Sequence, residues 1–178
     1  MFAHLILGFL RDGRPRHGYE IISQFRARSG TAPNAGNVYR ELAKLAQEKL
    51  IRPAANPREA DARRIPYEIT DSGLHAFDGW LLSPSTQDEE LTSWILFAHL
   101  VPRDALPRLL ERLQEQLWLL TKQLARARED VLARARLNGH GRGEYDPASF
   151  LLLLRMKRVA AELDFVEELR REIGGGHS

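Results

Sequence analysis

An apolar repeat with alternating spacings of four and three residues most constrains how this chain can fold. The repeat runs through residues 106–131 for more than three heptads, and the same spacing returns across residues 152–166. Such spacing places the apolar side chains along one stripe of a helix, as in coiled coils and helical bundles. It predicts two long helices, at residues 104–137 and 146–173, joined by a glycine-rich loop.

Two long apolar stripes need a partner, because a pair of helices beside a small N-terminal domain cannot bury both of them. We expect two copies of the chain to pair as a homodimer through a four-helix bundle. The alternative is that the helical hairpin folds back onto the N-terminal part of its own chain. The predicted dimer interface is the seam of the repeat, formed by Leu106, Leu110, Leu113, Leu117, Leu120, Leu124, Leu152, Met156, Val159, Leu163 and Val166.

The N-terminal part of the sequence alternates between helical and β-prone segments. Three helices, two β-prone runs and a fourth helix are predicted at residues 2–12, 17–29, 34–49, 50–54, 65–70 and 71–82. Asn34 and Thr70 are good N-caps, and Pro53 and Pro66 confine the two strands to a hairpin at an edge. This order is typical of a winged helix. The predicted fold class is therefore mainly α, with an N-terminal winged helix-turn-helix that has a two-stranded β wing, and a C-terminal region of long helices for dimerisation.

The same patterns divide the chain into two domains. Residues 1–82 are predicted to form a winged-helix DNA-binding domain, and residues 83–88 a linker that contains Pro84. Residues 89–178 are predicted to form a helical dimerisation domain, which begins with an apolar helix at residues 89–101.

The third predicted helix carries polar side chains opposite its apolar face. Asn37, Arg40 and Lys44 follow one another at intervals of three and four residues, so they share one side of the helix. Amide, guanidinium and ammonium groups read base edges and neutralise phosphates in the major groove. Asn34 stands near the N-terminus of the helix, the end that usually reaches the bases first. An ordinary solvated face is the alternative, because two glutamates lie nearby.

The loop between the two predicted strands adds Arg58, Arg63 and Arg64. Arginines in a loop beside a recognition helix can clamp the DNA backbone or enter the minor groove. A solvated loop that Glu59 and Asp61 partly neutralise is the alternative. Helix and loop together favour double-stranded DNA as a partner.

The overall charge hides a small difference between the two halves. The chain has 26 Lys and Arg against 24 Asp and Glu, a net charge of +2. The count is 12 basic and 9 acidic residues up to Leu82, or +3, and 14 and 15 after it, or −1. The absence of cysteine excludes disulfides, thiolate zinc sites and cysteine catalysis, and it fits a location in the cytoplasm.

Patterns for catalysis, cofactors, metals and membranes are weak or missing. The six histidines are scattered without a pair at i and i+4, and no glycine-rich loop has a phosphate-binding pattern. No apolar run approaches the length of a membrane span, which is about 18 or more residues. We therefore expect no enzymatic activity, no cofactor, no metal site and no membrane partner.

Three motifs in the N-terminal part resemble the PadR-like family of transcriptional regulators. They are His-Gly-Tyr-Glu at 17–20, Gly-Asn-Val-Tyr-Arg at 36–40, and Tyr-Glu-Ile-Thr-Asp-Ser-Gly at 67–73. The resemblance implies a homodimeric, ligand-responsive repressor that binds a pseudo-palindromic operator. It also implies that Tyr39 contacts the DNA backbone, and that Tyr19 either packs against the recognition helix or contacts DNA.

The sequence departs from the family pattern at two positions that bear on the site. Asn37 stands where the family usually has threonine, which alters a phosphate or base contact. Lys49 replaces the glycine that usually precedes the Leu-Ile pair. Because glycine tolerates the left-handed conformation that ends many helices, we expect the third helix to end differently here.

Trp94, Phe97 and Trp118 form the candidate site for a small aromatic effector, because they lie on helices beside the linker and the seam. Packing in a core or interface is the alternative for these aromatics. The sequence thus predicts a DNA-binding transcriptional regulator, a ligand-responsive repressor. The alternative functions are a protein-interaction adaptor and a small-molecule-binding helical dimer without operator function.

Overall fold

Seven α-helices and a two-stranded antiparallel sheet form the part of the chain that the computed structural model describes, which is residues 2–30, 32–54, 65–84, 90–137 and 146–175. The elements in chain order are α1 (Phe2–Leu10), α2 (Gly18–Ser29), α3 (Ala35–Gln47), β1 (Ile51–Pro53), β2 (Tyr67–Ile69), α4 (Asp71–Leu81), α5 (Glu90–Phe97), α6 (Leu106–Leu137) and α7 (Pro147–Gly175). A short 3₁₀ turn, Ala98–Leu100, follows α5. The predicted fold class is confirmed. None of the helices in these ranges is long and apolar enough to cross a membrane.

The chain divides into two compact units, Met1–Pro102 and Arg103–Ser178. The first unit therefore extends beyond residue 82, where we placed the end of the winged-helix domain. The reason is that α5 packs against α1 and buries its apolar side chains, among them Leu91 and Trp94. The indole nitrogen of Trp94 also donates a hydrogen bond to the carbonyl oxygen of Leu81, at 2.9 Å.

An aromatic cluster joins α5 to the rest of the first unit. The ring of Phe97 makes perpendicular contacts with Phe9 and Phe77, with centroids 5.5 and 5.4 Å apart. The approach is close because α1 has a glycine at this point: a Cβ on Gly8 would lie 2.5 Å from the Phe97 ring. Full burial of a phenylalanine side chain contributes about 1.5–3 kcal/mol, so this contact fixes α5 on the winged helix.

The two strands form the base of the predicted wing. They pair antiparallel, with Ile51 opposite Ile69 and Pro53 opposite Tyr67. A contact that the sequence did not reveal extends this sheet: the backbone of Arg16 exchanges two hydrogen bonds with Tyr67, at 2.8 and 2.9 Å. The segment before α2 thus lies beside β2 as a short third member.

Arg16 is also held by its side chain. Its guanidinium donates to both carboxylate oxygens of Asp12, at 2.6 and 2.7 Å, and to the carbonyl oxygen of Phe9. The hydrogen bonds from Arg16 lower the pKa of Asp12 to about 2. This pair fixes the turn between α1 and α2.

Our expectation that α3 would end differently without a glycine is wrong, because Lys49 itself adopts the left-handed conformation with φ 60°. The amide of Leu50 donates to the carbonyl of Leu45 at 2.9 Å, and that of Lys49 donates to Ala46 at 3.1 Å. These two bonds are those of the Schellman motif, which usually has glycine at the position of Lys49.

The start of α4 is tied to the end of α3. The hydroxyl of Thr70 accepts a hydrogen bond from the amide of Gly73 at 3.1 Å, which confirms the predicted N-cap. The amide of Thr70 donates to the carbonyl of Leu50 at 3.0 Å. A Cβ on Gly73 would lie 2.1 Å from the same carbonyl oxygen, so only glycine fits there.

In the second unit α6 and α7 pack against each other as an antiparallel hairpin. The buried side chains include Leu113 and Leu117 of α6 and Val166 of α7. Gln114 of α6 donates to Glu167 of α7 at 3.0 Å and accepts a hydrogen bond from Arg170. The predicted N-cap of α7 is confirmed, because Asp146 accepts hydrogen bonds from the amides of residues 148 and 149, at 3.2 and 3.3 Å.

Candidate nucleic-acid interface

The helix α3 has one buried face and one exposed face. Val38, Leu42 and Leu45 are fully buried, at the contacts of α3 with α1 and α2. Arg40 and Lys44 are exposed on the other side. A helix of this form is held by its apolar face and leaves its polar face free for a ligand.

Asn34 begins α3 as its N-cap, as predicted. Its side-chain oxygen accepts a hydrogen bond from the amide of Asn37 at 3.2 Å. The oxygen of Asn34 is therefore engaged in capping, and its side-chain NH₂ is the group with hydrogens to donate to a ligand.

Asn37 and Arg40 are joined to each other. The guanidinium of Arg40 donates from Nη2 to the side-chain oxygen of Asn37, one turn earlier. Asn37 is half-buried and Arg40 is exposed. Since a guanidinium has five N–H groups, this bond leaves most of them available.

Lys44 is flanked by two acidic side chains of α3. Its ammonium lies 3.7 Å from Glu41 and 3.9 Å from Glu48. These ion pairs are at the surface, where such pairs contribute about 0–1 kcal/mol, so Lys44 can exchange them for a phosphate. They do reduce the positive potential of this end of α3.

The two tyrosines of the family motifs have different surroundings. Tyr39 is 38% exposed, and its ring packs on α2, where a Cβ on Gly18 would lie 2.5 Å from the ring. Gly18 thus permits the close approach of the two helices. Tyr19 is 57% exposed and stacks on His17, with centroids 5.5 Å apart. Whether Tyr19 packs against α3 or contacts DNA stays a prediction.

Gly36 has no such role in helix packing. A Cβ on Gly36 would meet only the side-chain oxygen of Asn34, at 3.2 Å, so its effect is on the N-cap. The half-buried His17, on which Tyr19 stacks, is a neighbour that we did not single out as a site residue. Its position two residues before Tyr19, at the start of α2, was the available signal.

The predicted arginines of the wing tip, Arg58, Arg63 and Arg64, lie outside the described residues, and their role stays a prediction. The described base of the wing carries a charge pair: Arg52 donates to Glu68 at 2.6 Å across the two strands. Arg52 itself is exposed, beside the segment that leads to the tip.

Residues 6–78 match the model of the family described as the transcriptional regulator PadR-like family. The N-terminal part of the chain resembles this family. All three motifs of the resemblance lie within the matched residues, and the resemblance is confirmed. The α3 face with Asn37, Arg40 and Lys44 lies within the matched residues.

Among solved structures, the chain is similar to Bacillus subtilis PadR in complex with operator DNA, at 23% identity, with 97% of this chain and 98% of that chain covered and a TM-score of 0.41. A PadR-like transcriptional regulator from Bacillus cereus is 17% identical, with 98% and 99% covered and a TM-score of 0.40. Bacillus subtilis PadR in complex with p-coumaric acid is 21% identical, with 97% and 95% covered and a TM-score of 0.38. The curated proteins contain no match.

The predicted effector residues fall in both units. Trp94 and Phe97 belong to the core of the unit that contains the PadR-like domain, and they are 1% and 2% exposed. A ligand that touched them there would have to open that core. Trp118 lies in the other unit and is 56% exposed. A site that combines the three stays a prediction.

The predicted seam is partly covered within one copy of the chain. Leu110, Leu113, Leu117, Leu124, Val159 and Val166 are buried. Leu106, Leu120, Leu152, Met156 and Leu163 are half-buried. The large apolar side chains of the hairpin that remain exposed are Trp118, Leu119, Leu137, Phe150, Leu151, Leu154 and Phe165. These side chains lie off the predicted seam. For Phe150 the available signal was its apolar spacing with Leu154 at i and i+4.

Proposed function

We propose that this protein is a transcriptional repressor that binds an operator in double-stranded DNA as a homodimer. The observation that carries the proposal is the exposed face of α3 in a PadR-like winged helix, with Arg40 and Lys44 directed away from the core. The major groove admits an α-helix, and cationic side chains on its outer face bind bases and phosphates there.

The neighbouring surface supports the same partner. At the N-terminus of α2 the rings of His17 and Tyr19 stack on each other, and the ring of Tyr39 lies close to Gly18. Tyrosine hydroxyls, amides and cationic side chains commonly contact the phosphate backbone and set the orientation of a protein on the duplex. The predicted division into a DNA-binding and a dimerisation domain follows from this assignment, with α5 attached to the first of them.

The exposed apolar side chains of α6 and α7 support a homodimer. Trp118 and Leu119 line a groove of about 410 Å³ with Leu163, Gln114, Glu115 and Glu167. Contiguous apolar surface of this kind usually marks an interface. In a symmetric dimer the two α3 helices would bind two half-sites in inverted orientation, which makes the operator a pseudo-palindrome.

Repression would follow from steric exclusion of the polymerase, and a small aromatic effector would relieve it by changing the spacing of the two α3 helices. Since Bacillus subtilis PadR has been solved with p-coumaric acid, that compound is the first probe for this chain. On this proposal the protein acts in the cytoplasm as a binding protein and not as an enzyme.

Footprinting on the DNA upstream of the protein's own gene tests the proposal. The expected result is a protected region with two inverted half-sites, about 10 base pairs or a multiple of this apart from centre to centre. Binding should weaken steeply with salt, because phosphate contacts release counterions. Arg40→Ala and Lys44→Ala should each weaken binding, by about 1–3 kcal/mol where a base contact is lost.

Arg134→Ala is the matched control, because it removes the same charge from an exposed position of α6 in the other unit. It should bind the operator as the parent does. If Arg40→Ala and Lys44→Ala also bind as tightly as the parent at the same salt concentration, α3 is not the DNA-binding helix. A flat salt dependence would instead favour the protein-interaction adaptor, and a ligand that binds without affecting any DNA complex would favour the small-molecule carrier.

A further inference from the structure

The start of α3 carries two side-chain amides, Asn34 and Asn37, and one guanidinium, Arg40. They differ in how many of their hydrogen-bonding groups are already used within the protein. The oxygen of Asn34 accepts the amide of Asn37, at 3.2 Å. The oxygen of Asn37 accepts Nη2 of Arg40. Both amide oxygens are therefore engaged within the helix, whereas the guanidinium uses one of its N–H groups for Asn37.

This occupancy favours one pairing of side chain and base in the major groove over another. An asparagine that recognises adenine accepts a hydrogen from N6 with its oxygen and donates to N7. An arginine that recognises guanine donates twice, to O6 and N7. The oxygen of Asn37 shares its acceptor capacity with the guanidinium, whereas Arg40 retains the pair of donors that guanine requires.

We propose that Arg40 selects a guanine in each half-site, and that Asn37 is a positioning residue which holds the guanidinium and does not read adenine. The proposal rests on the proposed function, because it assigns a base to the exposed face of α3. An anchored guanidinium loses less side-chain freedom when it binds than one that moves freely.

Lys44 on the same face has a different role. Its ammonium lies between Glu41 and Glu48 and is a single point charge without the planar fork of a guanidinium. It contacts phosphate and contributes to binding of every sequence alike. Lys44→Ala is therefore the matched control for Arg40→Ala, since both remove one exposed positive charge from α3.

The test is selection of bound duplexes from a random library by the full-length protein, followed by competition binding with single-base variants of the selected site. We expect an invariant guanine in each half-site. Replacement of this guanine should weaken binding by about 5- to 140-fold, the range for one good bidentate contact. With Arg40→Ala, guanine at this position should be preferred by less than about 2-fold while the preferences at other positions remain. With Lys44→Ala, all duplexes should bind more weakly and the guanine preference should stay.

Two variants of Asn37 separate positioning from base reading. Asn37→Ala removes the oxygen that holds Arg40 and should reduce the preference for guanine without changing which base is preferred. Asn37→Asp keeps an oxygen acceptor and loses the NH₂, so it should retain the guanine preference, although its charge weakens binding to all duplexes. Circular dichroism and thermal unfolding should show both variants folded as the parent, because the Asn37 side chain is only half-buried and its hydrogen bond to Arg40 lies within α3.

The outcomes distinguish this inference from the proposed function. If no sequence is enriched, the proposed function is wrong and the inference falls with it. If a palindrome is enriched that lacks an invariant guanine, or its guanine preference survives Arg40→Ala, the protein binds DNA but the inference is wrong. Selection of an adenine whose preference disappears in both Asn37→Ala and Asn37→Asp also overturns it.

Discussion

Lys49 lies between α3 and β1 in a left-handed conformation, and its replacement by glycine should stabilise the protein. Its φ of 60° is one that residues with a Cβ adopt at a cost of about 1–2 kcal/mol, because the Cβ approaches the following carbonyl oxygen. Glycine has no such cost, but it loses more backbone freedom on folding, about 0.5–1 kcal/mol. The balance predicts that Lys49→Gly raises the free energy of unfolding by about 0.5–1 kcal/mol.

Urea unfolding at pH 7, at a fixed protein concentration, measures this difference. For a chain of this length, 1 kcal/mol corresponds to about 2–4 °C in Tm. Lys49→Ala is the matched control, because it removes the ammonium and keeps the Cβ. It should show none of the gain, since alanine is strained in the same conformation.

The two variants separate strain from charge. If Lys49→Gly is no more stable than Lys49→Ala, the left-handed residue at the end of α3 does not carry the strain that we assign to it. If both variants gain equally, the removal of the ammonium is the cause.

Three further predictions concern other parts of the structure. Gly73→Ala should lower the free energy of unfolding by about 2–3 kcal/mol, because the new Cβ would lie 2.1 Å from the backbone carbonyl oxygen of Leu50, which cannot move aside. A loss below about 1 kcal/mol in urea unfolding would contradict this prediction. Asp12→Asn should lower the free energy of unfolding by about 1 kcal/mol at pH 7; this is less than the full pKa shift would give, because Asp12 is partly exposed to solvent. The folded-state pKa of Asp12 is lowered to about 2 from 3.8, so its contribution to stability is present above pH 3.8 and is lost as the pH falls to about 2. In a pH series of unfolding curves, the free energies of unfolding of the parent and the variant should therefore converge over that range. Trp118→Glu and Leu154→Glu, at positions 56% and 49% exposed in one copy, should weaken the proposed homodimer about 10-fold or more in sedimentation equilibrium. Leu137→Glu at the end of α6 should not weaken it, and unchanged dimerisation of both Trp118→Glu and Leu154→Glu would place the interface elsewhere.

The features that the sequence predicted correctly are local ones. The long helices follow from the heptad spacing, and the caps at Asn34, Thr70 and Asp146 follow from side chains that bond two or three residues ahead. The bond between Asn37 and Arg40 has the same local character, so the sequence contained the signal for it.

The features that could not be predicted depend on residues far apart in the chain. The backbone pair of Arg16 with Tyr67 has no signature in either segment. The position of α5 depends on the ring of Phe97, which fits against α1 only because Gly8 has no Cβ. The heptad spacing shows which side chains share a stripe, but not whether their partner is the next helix of the same chain or a second copy.

The contact of Phe97 with Gly8 determines where the N-terminal unit of the chain can be cut. A fragment that stops at residue 82 loses the ring that lies against Phe9, Phe77 and Trp80. These aromatic side chains would then be exposed to solvent, and such a fragment should aggregate through the exposed apolar surface. A fragment that ends at Pro102 retains Phe97 and keeps this surface covered. The practical minimum of the N-terminal unit is therefore 102 residues, about a quarter more than the winged helix itself.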